Sequence, residues 1–486
     1  MSTQISSPGA TVSSSLSTVS PQNAEVAKLI QPAYTLAELE AVRKVLASHK
    51  TLTLRRYPNG GQSAVTILDI YETLFSAMDG LLMNMWDRDN VMQCLAELKL
   101  ADDAELRAGI ESVDANSWRR GMNAALDHHK KGDFRFVDIC LGRASNEPKD
   151  YMRRPHIRYP ATNPGECGDN WGHGQNDSLS FLLFMLYHGL NTGRLDWSDI
   201  DLQPNALSFV TLLHGFFWKI RVWEDMDLGA WEDKVAQHWS SVACVLAALR
   251  EQHIWFKKTG EKLHYNKDGH DFWVTESGVQ ELITKCEDKL REIGLNEYVI
   301  SQDNSTRNVD LAMINPMLLA AFSGKALVDD AYTVTMLEKI EAELLGHLGA
   351  RRYAKDLWDG RVNRYDLAAG EEAQWVHGSP QMSFIYGDLY QRTGDEKYLD
   401  KQVQHFNRAL ASIAPSWLTP EAWIVDMRTR RWVPDANEPL AWATAMLVLS
   451  FAGMKTSLTK KASVAAAAPS APAVEVASAA PADTAK

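Results

Sequence analysis

Short clusters of tryptophan, arginine and carboxylate residues punctuate this chain, each set just before a hydrophobic helical run. The first is Trp86-Asp87-Arg88-Asp89-Asn90. Next come Asn170-Trp171-Gly172-His173-Gly174-Gln175-Asn176-Asp177 and Asp227-Leu228-Gly229-Ala230-Trp231-Glu232. Later ones are Arg364-Tyr365, the stretch from Glu371 to Pro380, and Thr419-Pro420-Glu421-Ala422-Trp423. Flat indoles stack on pyranose rings while the indole N–H meets a hydroxyl. Carboxylates and arginines bind the remaining hydroxyls, so these residue types on one face make a sugar site. Each cluster also has a plain structural reading. Trp231-Glu232 can be a packed indole beside an acid favoured by a helix dipole. Glu421, after a proline, can sit in the first turn of a helix, and Arg88-Asp89 can be a surface ion pair worth little. Trp171, Trp375 and Trp442 can each be core.

The elements that must position these clusters are helices. Apolar residues recur at helical spacing from Thr35, Asp177, Asp233, Leu311, Asp329 and Pro439,. Strand-like alternation is short and rare, the best case being Thr51–Tyr57 before Pro58-Asn59-Gly60-Gly61. The runs from Asp177 and Pro439 are apolar nearly all round, which marks a buried inner layer, whereas amphipathic helices lie outside. Two concentric layers without a fixed repeat signature predict an all-α fold, a closed (α/α) barrel, in preference to a helical repeat protein or solenoid. In such a barrel the loops share one face, so clusters far apart in sequence converge there.

Composition frames the unit. Residues 1–32 are rich in Ser, Thr and Pro and are expected to form a flexible arm,. Residues 456–486 are Ala/Pro-rich and are expected to be a disordered tail, leaving the barrel at 33–455,. The net charge of −12, without a basic block, argues against a nucleic-acid partner,. No apolar run approaches membrane length and the N-terminus lacks a signal-peptide pattern, so a soluble, cytoplasmic protein is expected. Five scattered cysteines without a CxxC pair read as reduced thiols,. His128-His129 lacks an HExxH or Cys/His context, so neither metal nor cofactor is expected. Sixteen tryptophans exceed what one core needs.

Taken in order, the clusters resemble the glucoamylase family, glycoside hydrolase family 15, and the related phosphorylase kinase α and β subunits. Trp86-x-Arg88-Asp89 matches that family's W-x-R-D, and Trp171-Gly-x-x-Gln175-x-Asp177 its W-G-x-x-Q-x-D. Trp231-Glu232 matches the W-E at the general acid. Arg364-Tyr365, with Trp375 and Gly378-x-Pro380, is similar to the sugar-binding wall. Pro420-Glu421 and Leu440-x-Trp442-x-x-Ala445 resemble the segment carrying the general base. The similarity runs from about Asp87 to Phe451.

The resemblance implies an (α/α)6 toroid barrel and an inverting, exo-acting hydrolase that releases glucose from the non-reducing end of an α-glucan or malto-oligosaccharide. Glu232 would be the protonated acid and Glu421 the ionised base that activates water. Trp86, Arg88, Asp89, Trp171, Gln175, Asp177, Trp231, Arg364, Trp375 and Trp442 would bind the substrate. The sequence departs from the family at Glu232-Asp233-Lys234, where many relatives carry W-E-E or W-E-R, so the leaving-group side differs. Too few residues precede the first cluster for the β-sandwich domain of secreted relatives, and no starch-binding module follows. The alternative is a carbohydrate-sensing protein of the phosphorylase kinase kind. Retention of both glutamates favours chemistry. Linkage preference and oligomeric state are left open.

Overall fold

The computed structural model describes residues 20–65, 83–111, 113–163, 165, 171–198, 203–267 and 269–467. The outer parts of the expected arm (1–19) and tail (468–486), together with Cys167 and Asn170, lie outside the described residues. Among the described residues, twelve helices of nine or more residues alternate between two layers. The outer helices are α1 (Leu36–Ser48), α3 (Ser117–Lys131), α5 (Gln203–Ile220), α7 (Glu276–Ile293), α9 (Asp330–Leu344) and α11 (Glu396–Ala411). The inner ones are α2 (Asp87–Asp102), α4 (Asn176–Asn191), α6 (Trp239–Thr259), α8 (Ile314–Phe322), α10 (Gly378–Thr393) and α12 (Ala441–Ala467). Each inner helix packs on the next, and α12 returns to α2, so the ring closes as the (α/α)6 barrel expected from the sequence.

Layer assignment follows from which faces are buried. Every residue of α4 from Asn176 to Leu190 is buried, whereas α11 buries mainly one stripe,. Caps define the helix entries. Thr35 and Glu38 form a capping box at α1, and the Asp329 side chain accepts the Tyr332 N–H at α9,. Because inner helices all run the same way, their N-terminal ends open on one face.

Short strands pin the loops on that face. β1 (Asn84–Trp86) pairs antiparallel with β2 (Arg158–Pro160), and β5 (Gln374–Trp375), β6 (Ala422–Val425) and β7 (Trp432–Pro434) form a small sheet. A hairpin of β3 (Leu263–Lys267) and β4 (His270–Val274) follows α6 on the outside.

Four expectations differ from the structure. The helix expected from Asp233 begins at Trp239, because Asp227 and Ala236 exchange both backbone hydrogen bonds and hold 227–236 as a loop. Thr51–Tyr57 is buried over its first residues but joins no strand. Residues 22–32 of the expected arm pack beside α11. Val26 is buried, Asn23 Nδ2 donates to the Ala414 carbonyl, and Asn407 Nδ2 donates to that of Gln31. Helix α12 continues past residue 456, with Ser457 and Leu458 buried and Lys460 Nζ satisfying the final carbonyls of α10 at Tyr390 and Gln391,.

Candidate active site

The first turn of α2 presents Arg88 and Asp89. It is fixed from behind by Asp87, whose carboxylate accepts Tyr159 Oη–H and His129 Nε2–H at 2.7 Å each. The Arg88 guanidinium is buried. Nη1 donates to Asp177 Oδ2 at 2.7 Å, and Gln175 Oε1 lies 3.3 Å from Nη2. Its Nη2 also stands 3.7 Å from Glu232 Oε1. Asp89 is lifted to about 6 by burial, against the pull of Arg88,.

Glu232 sits on the loop closed by Asp227 and Ala236. Its φ of 60° lies in the left-handed region, costly for a residue with a side chain,. The neighbouring Gly229, also at φ 60°, has no room for a side chain, since a Cβ there would approach the His238 ring to 2.9 Å. His238 sits beneath the loop, bonded to Glu297 Oε1 and the Lys234 carbonyl at 2.9 Å each. Trp231 is anchored by donating Nε1–H to Asp310 Oδ1 at 2.6 Å. Burial raises the Glu232 carboxyl above its ordinary value, with Arg88 and a hydrogen bond from Gln175 opposing.

Glu421 precedes β6 on the neighbouring wall. Its backbone N–H donates to the Asn437 carbonyl, and its Oε2 accepts Asn437 Nδ2–H at 2.6 Å. Burial, followed by the charge of Asp435, pushes this carboxyl to about 8, while the Asn437 bond works the other way. The carboxyl expected to be the ionised base is therefore shifted toward its protonated form. Asp89 repels both glutamates.

These walls enclose a cleft of about 880 Å³ that holds Glu232 and Glu421 together with Trp86, Arg88, Asp89, Trp171, Trp231, Trp375 and Trp442. The ring of Trp231 lies 6.1 Å from that of Trp375 and 6.4 Å from that of Trp442. The indole N–H groups of Trp171, Trp375 and Trp442 are buried and have no hydrogen-bond partner. Unpaired buried donors are costly, and these three lie within the walls of the cleft, shielded from solvent.

The sequence profile of the glycosyl hydrolases family 15 matches residues 83–447. The chain belongs to glycosyl hydrolase family 15. No curated protein matches it by sequence. Among solved structures, a glycosidase variant in complex with glucose is similar at TM-score 0.59 and 13% identity, over 88% of this chain and 99% of that one. The glucoamylase from Saccharomycopsis fibuligera is similar at TM-score 0.53 and 13% identity, covering 88% and 97%. A bacterial glucoamylase complexed with acarbose gives TM-score 0.53 and 13% identity, covering 86% of this chain and 56% of that one. At such identities the likeness speaks for the fold.

In this family 15 chain, three residues expected to touch substrate do not line the cleft. Gln175 and Asp177 stand behind Arg88 and orient it. Arg364 is turned away, its guanidinium taken by Asp366, Asp359 and the Val425 carbonyl. Its contribution is to brace the hairpin whose residues Trp358, Gly360, Arg361 and Asn363 do face the cleft.

Sequence reasoning missed those four, along with Arg158, Arg352, Tyr353, His377 and Asn437. Arg158 lies over the rings of Trp171 and Trp86 at 4.1 and 5.1 Å, a position created by β1–β2 pairing. Asp233, on the divergent side, also lines the cleft and accepts Tyr353 Oη–H at 2.6 Å. His377 lies inside a recognised cluster; it stacks on Trp442 at 4.3 Å, and burial lowers it to about 3, so it is neutral. Among the described residues no group of three His, Cys, Asp or Glu side chains is placed to hold a metal ion, and no helix is long and apolar enough to cross a membrane. The cysteines Cys94, Cys140, Cys244 and Cys286 are free.

Proposed function

We propose that this cleft hydrolyses α-glucans or malto-oligosaccharides from the non-reducing end, releasing glucose with inversion. The observation that carries the reading is that Glu232 and Glu421 line one cleft with Arg88, Asp89 and the rings of Trp171, Trp375 and Trp442. The glucose-bound and acarbose-bound relatives support a sugar ligand of this class.

Two carboxyls are the tools an acetal needs. Glu232, kept protonated by burial, donates its proton to the departing glycosidic oxygen. Glu421, once ionised, takes a proton from water as that water attacks the anomeric carbon from the opposite face. Charge builds on the sugar ring in the transition state, and the ionised carboxylates Asp89 and Glu421 stabilise it. Arg88 and Asp89 bind hydroxyls of the terminal glucose. An analogue lacking one of these hydroxyls leaves a buried polar group unpaired and is rejected.

The test is glucose release from maltose, maltotetraose, isomaltose and glycogen, with the product anomer followed by NMR. Initial β-glucose is expected. Oligosaccharide binding without any turnover would instead make this a sugar sensor on a hydrolase scaffold.

A further inference from the structure

Asp435 lies outside every recognised cluster and does not line the cleft, yet it is built into the support of Glu421. Asn437 ties the two together. Its side chain donates to Glu421 Oε2 at 2.6 Å, and its backbone N–H donates to Asp435 Oδ1 at 3.2 Å. The second carboxylate oxygen, Oδ2 of Asp435, is buried and has no partner. It points to the same small gap as Glu421.

Gly360 defines that gap. A Cβ at this position would stand 3.2 Å from Asp435 Oδ2 and 3.9 Å from Glu421 Oε2, and its φ of 95° suits glycine,. The charged groups that face the pair come from three directions. Asp89 approaches from the first turn of α2, Arg352 from the loop after α9, and Arg361 from the hairpin beside Gly360. Among the described residues, no cation comes within 4.0 Å of either carboxyl as an ion pair.

Two buried carboxylates without a close counterion cannot both stay ionised, so they bind protons as a unit. We propose that Asp435 is a positioning residue of the general base, and that the working base is the singly protonated Glu421–Asp435 pair. This rests on reading Glu421 as the base. Burial raises Asp435 to about 7, in keeping with the pairing. In the reaction, the O–H bond of water breaks, its proton goes to the pair, and its oxygen bonds to the anomeric carbon. The glycosidic C–O bond breaks as Glu232 gives its proton to the leaving oxygen. Both protons are then re-equilibrated with solvent.

The experiment is a substrate-free NMR titration of protein labelled with 13C at glutamate Cδ, with the Glu421 signal assigned from Glu421→Gln. Wild type is expected to show two inflections at Glu421. Asp435→Asn keeps the acceptor for the Asn437 N–H and should leave one inflection, roughly a pH unit or more lower. In turnover the same variant should lower kcat roughly tenfold or more while KM stays within about twofold. A single inflection in wild type, or an unchanged Glu421 curve in Asp435→Asn, would overturn the pairing. If that variant fails to fold, the wild-type curve alone decides. Failure of the hydrolase reading appears separately, as absence of glucose release by wild type.

Discussion

Nη2 of Arg88 stands 3.7 Å from Oε1 of Glu232, while its Nη1 is committed to Asp177 at 2.7 Å. This division of one guanidinium leaves the acid a long ion pair with no hydrogen bond from Arg88. Burial then wins, and Glu232 holds its proton above the ordinary carboxylate range.

Asp177→Asn breaks this division. The freed guanidinium should move to Glu232 and hold it ionised, so the alkaline limb of kcat/KM should shift to lower pH. The buried Arg88 also loses its main partner, and breaking such a pair costs about 3–5 kcal/mol. Urea unfolding should show a loss of that order, against little change for an exposed control such as Asp196→Asn.

Glu421 links stability to pH. Its folded value, about 8, lies above its ordinary 4.5, so the folded state binds this proton more tightly. The resulting stability is fully present below 4.5 and is lost as pH rises through 8,. Glu421→Gln has no such proton to lose. Relative to wild type, the variant should gain roughly 2–4 kcal/mol between pH 5 and pH 9, read from urea midpoints across that range.

Trp375→Phe and Trp442→Phe test the wide indole faces that line the cleft. Each keeps an aromatic ring against its neighbours and removes one unpaired buried N–H. Affinity for maltotetraose should fall about tenfold for each, near 1.4 kcal/mol, with unchanged thermal unfolding. Calorimetric titration measures both. Equal affinity would mean that the sugar does not stack on these rings.

Gly360→Ala tests the gap beside the base. The added methyl meets Asp435 Oδ2 at 3.2 Å in a backbone with φ of 95°. A cost of about 1 kcal/mol or more in stability is expected from the strained backbone. Activity should fall further than stability does, because Asp435 must shift and Asn437, which holds both Asp435 and Glu421, shifts with it.

The fold was legible because buried and amphipathic helices differ in their apolar faces. Asn176–Leu190 is buried on all sides, as its nearly unbroken apolar run requires. Parts of the candidate site were legible from unusual residue clusters at the starts of inner helices, as at Arg88 and Trp442, both of which line the cleft. It failed where function depends on side-chain direction. Arg364 belongs to the right hairpin, but two aspartates draw its guanidinium away, and Arg361 takes the cleft position. The helix pattern from Asp233 also misled, since a loop tied by two backbone bonds overrides its apolar spacing. Asp435 gave no signal, because its meaning arises only when β7 lies beside β6.

The central claim is that Glu232 and Glu421 divide the work of acid and base. The most direct measurement compares Glu232→Gln and Glu421→Gln on maltose and on α-glucosyl fluoride, whose leaving group needs no proton. Loss of the acid should slow maltose hydrolysis roughly 10²–10⁴-fold yet leave fluoride release within about tenfold of wild type. Loss of the base should abolish both. Equal losses on the two substrates for Glu232→Gln, or substantial maltose hydrolysis by Glu421→Gln, would contradict the assignment.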